Sequence, residues 1–494
     1  MRSLLWATAL VVMPSVAVGQ PSPEVKDGKQ VFAITLSPMA APKPLSNYYL
    51  TPQYKEQQPG DQLSGFMKCF MEQALFFNDE GEAKRQKLLE VPLSEFPDAK
   101  GNAEALAGIA YPRRSTGLGG NIDLAARYTR AEWNEYFLVR KDGINTLLPE
   151  VQSMRRLGLA LRVRLRAEIK LGDFDRAIVT VRSLTGLAKM FETHPTIIGN
   201  LVGVAIHTMA WNGVEEMIAQ PGCPNLYWSL VDVPTPPFSV ARGFEGERVV
   251  LTTELDSMLA LDREMSGREI SKVFDFIDGV LQVMGKLEEV GPAGGGKPVG
   301  RVPLDGVRRY LQSSRPRYAL LAANSAGVEA ARGRLVGVGK MNSVAVKAFP
   351  PLQVVLTDDL LSHHVWRDEV LKYRNLPLAE CLAGMAETNQ QMRKQTADLI
   401  LAPLLLPAPF VVKKAEARTA QRVAFLRILE ALRLHAAASN GELPATLADT
   451  KLPMPLDPVT GKAFEYSVKD GVATLSGGKI ADLPRRVYEV RLRK

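Results

Sequence analysis

Apolar residues recur at three- and four-residue spacing through most of this chain, which is the period of helices that bury one face. The pattern begins at Leu63 and is strongest from about Asn145 to a break at Gly172. Further helices are predicted over residues 82–90, 177–184, 196–220, 245–261, 266–289, 317–334, 352–373, 378–394 and 413–439. The predicted fold class is therefore mainly α, built from packed helical hairpins.

The break at Gly172 has the residues of a tight helical turn. In "IKLGDFDRAI", residues 169–178, Gly172 can end one helix and Asp173 can cap the next, while Phe174 fills the gap and Ala177 allows close approach. This stretch resembles the turn of a tetratricopeptide hairpin. The resemblance implies a helical hairpin and nothing about ligands.

The C-terminal stretch changes from helical spacing to a period of two. Asp470-Gly471 is a two-residue hairpin turn. Side chains alternate on both sides of it, at Phe464, Tyr466 and Val468 and at Val472, Thr474 and Ser476. A small antiparallel β-hairpin module is predicted here.

This ending resembles the soluble part of type II secretion pseudopilins, in which a helix leads through turn residues into a small sheet. The matching positions are Gly441, Leu443, Pro444, Asp457, Pro458, Gly461 and Tyr466. A pseudopilin also needs its own N-terminal processing site and assembly helix, whereas this chain begins with an ordinary signal-peptide pattern. The resemblance therefore implies a shared module and does not imply a pilus.

Taken whole, the chain resembles a group of uncharacterised secreted proteins of planctomycete-type bacteria. The shared features are the lead-in "YYLTPQY", the helix "GNLVGVAI", the turn "PNLYWSL" and the C-terminal module. This resemblance implies kinship and no activity.

The N-terminus predicts the compartment. Arg2 precedes an uncharged run, and small residues follow at Ala17 and Gly19, so residues 1–19 are predicted to be a signal peptide. We expect a periplasmic or secreted protein with no transmembrane segment after cleavage. The apolar stretches 196–214 and 399–412 are interpreted as buried helix.

Composition shifts divide the chain into six predicted parts. They are the signal peptide 1–19, an extended lead-in with one or two helices over 20–120, a helical-hairpin domain over 121–290, a Gly/Pro linker over 291–300, a second helical region over 301–412, and a long helix plus β module over 413–494. The linker contains Gly296-Lys297, but Pro298 follows where a phosphate-binding loop needs a hydroxyl. No nucleotide and no other cofactor is expected.

Three cysteines, Cys69, Cys223 and Cys381, are too few for a disulfide framework. One bridge between two of them remains open, and three buried thiols is the preferred interpretation.

The net charge of +8 is spread along the chain. Arg155, Arg162 and Arg166 share one face of a predicted helix, which either binds an anionic group or pairs with acidic neighbours. Tyr227 and Trp228 follow a predicted helix end and complete a candidate binding surface. Because no aromatics interleave with the arginines, nucleic acid is not an expected partner.

His363 and His364 supply the remaining candidate chemistry. Asp359 and Asp368 lie four residues from them on one predicted helix. The two pairs could contribute to a zinc site, which needs three or four ligands, or they could join the helix to its neighbours.

These patterns favour a helical scaffold or interaction protein over an enzyme, with a protein or an envelope component as its partner. The alternative is a metal-assisted hydrolase that uses His363 and His364. A second alternative is an accessory component of a type II secretion-like apparatus.

Overall fold

The computed structural model describes residues 24–44, 48–72, 77–107, 122–142, 148–250, 255–289, 314–395, 399–401 and 407–493. The predicted signal peptide 1–19 and the predicted linker 291–300 lie outside these residues. The apolar stretch 399–412 lies only partly within them.

The described residues are mainly helical, which confirms the predicted fold class. They form seventeen helices: α1 (Gln62–Glu72), α2 (Asp79–Glu90), α3 (Ala99–Ala107), α4 (Ile122–Ala125), α5 (Glu135–Asp142), α6 (Pro149–Leu171), α7 (Phe174–Met190), α8 (Ile197–Ile218), α9 (Tyr227–Val231), α10 (Ala241–Val250), α11 (Gly267–Glu289), α12 (Ser314–Ala323), α13 (Ser325–Gly337), α14 (Ser343–Ala348), α15 (Pro351–Leu371), α16 (Leu378–Gln395) and α17 (Pro407–Ala438). Short 3-10 turns lie at Tyr54–Glu56, Leu93–Glu95, Phe191–Thr193, Asp256–Ala260 and Leu447–Thr450.

The helical hairpin around Gly172 forms as predicted. Gly172 ends α6 with a φ of 73°, a left-handed conformation that glycine adopts without strain. The side chain of Asp173 then accepts a hydrogen bond from the backbone N of Arg176 at 3.2 Å, which caps α7. Ala177 is fully buried, and α6, α7 and α8 pack against one another.

Other helix boundaries differ from the prediction. The helix expected over 317–334 is two helices, because the side chain of Asn324 accepts a hydrogen bond from Gly327 N at 3.1 Å and starts α13. Of the helix expected over 245–261, the described residues up to Val250 are helical, whereas Asp256–Ala260 form a 3-10 turn. Short helices such as α3 and α9 were not predicted, because five to nine residues give too few repeats of the helical period.

The C-terminal module is part of a larger sheet. Strands β1 (Glu24–Lys26), β2 (Lys29–Leu36), β5 (Glu465–Lys469), β6 (Val472–Ser476) and β7 (Arg485–Leu492) form one sheet in the order β1-β2-β7-β6-β5. Strand β2 runs parallel to β7, with Lys29 opposite Arg485 and Leu36 opposite Leu492. The predicted lead-in therefore supplies two strands to the other end of the chain. A separate pair joins β3 (Gln58–Asp61) to β4 (Tyr128–Arg130).

The predicted β5–β6 hairpin is confirmed. Asp470 and Gly471 both have positive φ, as a two-residue turn of this type requires. Such a turn pairs the residues that flank it, so Val468 lies opposite Ala473 and Tyr466 lies opposite Leu475. Ala473 and Leu475 are buried, whereas Thr474, between them on β6, is exposed.

The described core contains two large hydrophobic clusters. The first joins the lead-in, the helical hairpin, α17 and the C-terminal sheet, with members such as Leu36, Val163, Trp211, Phe425 and Leu475. The second lies among residues from the α11 to α15 region, with Ile277, Leu335 and Leu360 at its centre. Helix α17 contacts α8 and α9, and the ring of Phe425 on α17 lies 5.0 Å from that of Tyr488 on β7, so α17 connects these helices to the sheet.

The pairing of β2 with β7 should make strand β2 important for the stability of the folded chain. Because Leu36 is fully buried in the first cluster, Leu36→Ala should lower the free energy of unfolding by about 2–5 kcal/mol. The exposed neighbour on the same strand provides the control, and Thr35→Ala should change it by less than about 0.5 kcal/mol. Urea unfolding followed by circular dichroism measures both. Equal, small effects would contradict a structural role for the lead-in strand.

Candidate functional site

Tyr227 lies in the core of the molecule. Its hydroxyl donates to the backbone oxygen of Pro453, and its ring lies 5.4 Å from the guanidinium of Arg427 on α17. The backbone N of Tyr227 donates to Asn225 Oδ1 at 3.0 Å, and Asn225 Nδ2 donates to the carbonyl of Glu430 at 3.0 Å. Tyr227 therefore fixes α9 against α17, and as a fully buried side chain it offers no binding surface.

Trp228 is the aromatic residue of α9 that solvent can reach. It is 36% exposed and packs edge-to-face on Tyr227, with ring centroids 5.1 Å apart. Val231, one turn further along, is 37% exposed. Gln53 Nε2 donates to Asp232 Oδ2 at 2.9 Å, which brings the lead-in and the 90% exposed Tyr54 to the end of α9. We call Tyr54, Trp228 and Val231 the turn patch.

The turn patch rests on a rigid support. Ser229 Oγ donates to the carbonyl of Tyr48 at 2.8 Å, and Thr185 Oγ1 donates to the carbonyl of Leu50 at 2.8 Å. Arg182 Nη1 lies 2.7 Å from a carboxylate oxygen of Glu56. These contacts hold the lead-in against α7 and α9. They therefore fix the segments that carry the apolar side chains of the patch.

The predicted arginine face lies inside the protein. Arg162 and Arg166 are both buried, and both bind the carboxylate of Glu216 on α8, with Arg166 Nε 3.1 Å from Oε1. Arg166 also donates to the backbone oxygens of Leu88, Leu89 and Val91. Burial lowers the pKa of Arg166, and the charge of Glu216 opposes that change.

Arg155 lies at the other end of the same face. It is 3.6 Å from Glu82 on α2 and its side chain is mostly buried. The three arginines thus join α6 to α2 and α8, which matches the acid-paired interpretation of the stripe. They do not extend the turn patch as a ligand-binding surface.

The two histidines do not pair with the carboxylates on their own helix. Asp359 accepts from Tyr318 Oη at 2.5 Å and from the backbone N of Ile400 at 3.0 Å. Burial raises the pKa of Asp359 to about 6, and these hydrogen bonds oppose that rise. His364 Nε2 lies 3.1 Å from Asp256 Oδ1 instead of pairing with Asp368.

The remaining members of this group are also separated. Asp368 lies 3.4 Å from Arg248 and 3.2 Å from Arg367. His363 is fully buried, and neither ring nitrogen has a hydrogen-bond partner in the described part of the chain. Within the described ranges, no group of three His, Cys, Asp or Glu side chains is arranged to hold a metal ion. His363, His364, Asp359 and Asp368 are not brought together as one site.

The three cysteines are buried and form no disulfide. Burial raises the pKa of Cys223 to about 12 and that of Cys381 to about 11. Because the thiolate is the reactive form, neither residue is suited to nucleophilic chemistry.

Helix α8 corresponds to the apolar stretch predicted over 196–214. In the described chain it is the one helix long and apolar enough to cross a membrane, and 67% of its most apolar window is buried. It packs against α6, α7 and α17. A core helix meets the same length and composition criteria as a membrane span, so these criteria alone are weak evidence for a span.

The buried charges of α17 were not predicted from the sequence. Arg422, Glu430 and Arg433 are all buried on this helix. The available signal was spacing, because Lys414, Arg418 and Arg422 recur every fourth residue and thus share one face.

The fold and these sites were compared with known proteins. No protein-family model matches the chain, and neither the comparison with curated proteins nor that with solved structures returned a match. The chemistry of the described residues therefore carries the functional argument.

Glu216 is predicted to be essential for stability. Glu216→Gln leaves Arg162 and Arg166 buried without their shared carboxylate, and the free energy of unfolding should fall by about 3–5 kcal/mol. Glu80→Gln removes an exposed pair with Lys84 and should have no measurable effect. Urea unfolding measures both variants, and similar values for the two would disprove the role assigned to Glu216.

His363 should make the stability pH-dependent. Burial lowers its pKa to about 3 from an ordinary 6.5, with His364 and Arg367 adding to the shift. Between these values the unfolded chain binds a proton that the folded chain does not, so this contribution to stability is lost as the pH falls from about 6.5.

The variant His363→Leu removes that proton uptake. Below about pH 6, the unfolding free energy of the original protein should fall relative to that of His363→Leu. The decrease should be up to about 1.4 kcal/mol for each pH unit. Denaturant unfolding over a pH series measures it, and a difference that does not vary with pH would contradict the assignment.

Proposed function

We propose that this protein is a periplasmic or secreted helical interaction protein, and that the turn patch is where its partner binds. The partner class is a protein or another envelope component. The observation that carries this proposal is the exposure of Trp228 on a short helix whose other aromatic, Tyr227, is buried and fixed.

The chemistry of the patch supports a protein partner. Tryptophan and tyrosine are enriched among the residues that dominate binding energy at protein interfaces. Tyr54, Trp228 and Val231 are presented by segments that hydrogen bonds already hold in place. Binding to such a surface loses little conformational entropy.

The arrangement of polar side chains gives less support to a hydrolase. Asp359 is occupied by Tyr318 and two backbone amides, and His364 pairs with Asp256. A metal-assisted mechanism would need these groups to converge on one ion.

The likeness of the C-terminal module to pseudopilins supports two forms of this proposal. In one, the partner is a component of a secretion apparatus, and in the other, the protein itself belongs to such an apparatus. The resemblance to secreted planctomycete-type proteins is compatible with either role. Affinity capture distinguishes these two roles from binding to other envelope partners.

The test is affinity capture from the envelope fraction of the source cells, using an immobilised chain that begins at residue 20. Proteins retained by the unaltered chain are quantified by mass spectrometry beside those retained by the double variant Trp228→Ala/Val231→Ser. Loss of a central tryptophan should lower retention of the true partner by about tenfold or more. Secretion components among the proteins lost would identify that role.

The control is Val344→Ser, which removes an exposed apolar side chain (77% exposed) from α14. Helix α14 packs in the second hydrophobic cluster through Val346, whereas α9 packs in the first through Leu230. It should retain the same proteins as the unaltered chain. Identical capture profiles for all three chains would refute the turn patch as the binding surface.

A further inference from the structure

Four arginines gather where the helical hairpin, α17 and the C-terminal sheet meet. They are Arg162 on α6, Arg418 and Arg422 on α17, and Arg486 on β7, and we call them the arginine cluster. Burial lowers the pKa of Arg418 to about 9 and that of Arg422 to about 10, and the positive charge of Arg486 contributes to both shifts.

The carboxylates nearby do not balance this charge. Glu216 is shared between Arg162 and Arg166. Glu215 lies 3.6 Å from Arg422 Nε, which is an ion pair without a hydrogen bond. Within the part of the chain that the structure describes, neither Arg418 nor Arg486 has an ion-pair partner. Five guanidinium groups, counting Arg166, therefore face two carboxylates.

Neutral groups satisfy only part of the hydrogen-bonding capacity. Arg418 Nη2 donates to Gln30 Oε1 at 2.8 Å, and Arg486 Nη1 donates to Tyr488 Oη at 3.2 Å. The guanidinium of Arg486 also lies 4.6 Å from the ring of Phe32. These contacts orient the side chains, but they supply no negative charge.

Several donors in the cluster have no acceptor among the described residues. They are all three guanidinium nitrogens of Arg422, Nη2 of Arg486 and Nη1 of Arg162. These three arginines are at most 4% exposed. Buried donors are nearly always hydrogen-bonded, and buried charges are nearly always compensated, so this group of donors points to a ligand that accepts hydrogen bonds and carries negative charge.

We propose that the arginine cluster binds a small inorganic oxyanion of the phosphate type, with Arg422 at the centre and Arg418 at the edge. Planar guanidinium groups bind such oxyanions through pairs of parallel N–H···O bonds. Arg418 is only partly buried, which places the entry route on its side of the cluster. The site is separate from the turn patch and does not depend on the proposed function.

An anion bound at this position should stabilise the fold. The cluster lies between elements that are far apart in sequence, namely α6, α17 and β7. An anion bound there attracts all of them at once. Since a ligand that binds only the folded state stabilises it, phosphate should raise the thermal stability of the whole chain.

The experiment compares inorganic phosphate with chloride at equal ionic strength and neutral pH. Equilibrium dialysis with radiolabelled phosphate measures binding, and thermal unfolding measures the stabilisation. The unaltered chain should retain stoichiometric phosphate and unfold at a higher temperature in phosphate than in chloride. Arg418→Gln should weaken phosphate binding by about tenfold or more, because it removes a charged donor at the edge of the site.

Two further variants complete the test. Arg268→Gln, at an exposed position on α11, should bind phosphate as the unaltered chain does. Arg422→Met should abolish phosphate binding, and it should also lower stability in chloride, because the buried Glu215 loses its ion-pair partner. If Arg422→Met does not fold, Arg418→Gln decides the question. Absence of phosphate retention, or unchanged binding by Arg418→Gln, would overturn the proposal.

Discussion

The buried pair of Glu430 and Arg433 on α17 is the interaction on which the rest of the described structure depends. Both side chains are fully buried and 2.7 Å apart. Arg433 also donates to the backbone oxygens of Ser37 at 3.0 Å and Cys223 at 2.6 Å, while Glu430 accepts from Leu226 N at 3.1 Å. A buried ion pair is stable only when its remaining hydrogen-bonding atoms are satisfied, and here backbone from two distant segments satisfies them. The lead-in, the turn after α8 and the long C-terminal helix therefore meet at one point.

This junction links the turn patch and the arginine cluster, the two sites to which we assign binding. It fixes the turn before α9, so that Tyr227 is directed inward and Trp228 outward. It also holds the segment after β2 against α17, the helix that carries Arg418 and Arg422.

The buried arginines fall into two groups, according to whether protein atoms accept their hydrogen bonds. The donors of Arg166 and Arg433 are used by protein acceptors, whereas those of Arg422 are not. Burial is common to all of them, so the missing acceptors distinguish the arginine cluster from a structural ion pair.

The sequence predicted the local features of the fold well, because those features depend on neighbouring residues. Gly172 and Asp173 end and start helices through their own backbone and side-chain geometry, and Asp470-Gly471 forms its turn in the same way. The pairing of β2 with β7 could not be predicted, because Val31 and Val487 meet through tertiary packing and no local pattern indicates it.

The burial of the candidate site residues could not be predicted from the sequence either. Arg162 and Arg166 have the spacing of an exposed basic stripe, and only the position of Glu216 on another helix shows that they are buried and paired.

Native-state hydrogen exchange tests the central claim most directly, because it measures the opening free energy of each backbone amide. If the Glu430–Arg433 junction holds distant segments together, the protected amides of β2, α9 and α17 should exchange only through one shared opening. Their opening free energies should then agree and fall together in denaturant. Amides of β2 or α9 that open at a clearly lower free energy than those of α17 would contradict the account.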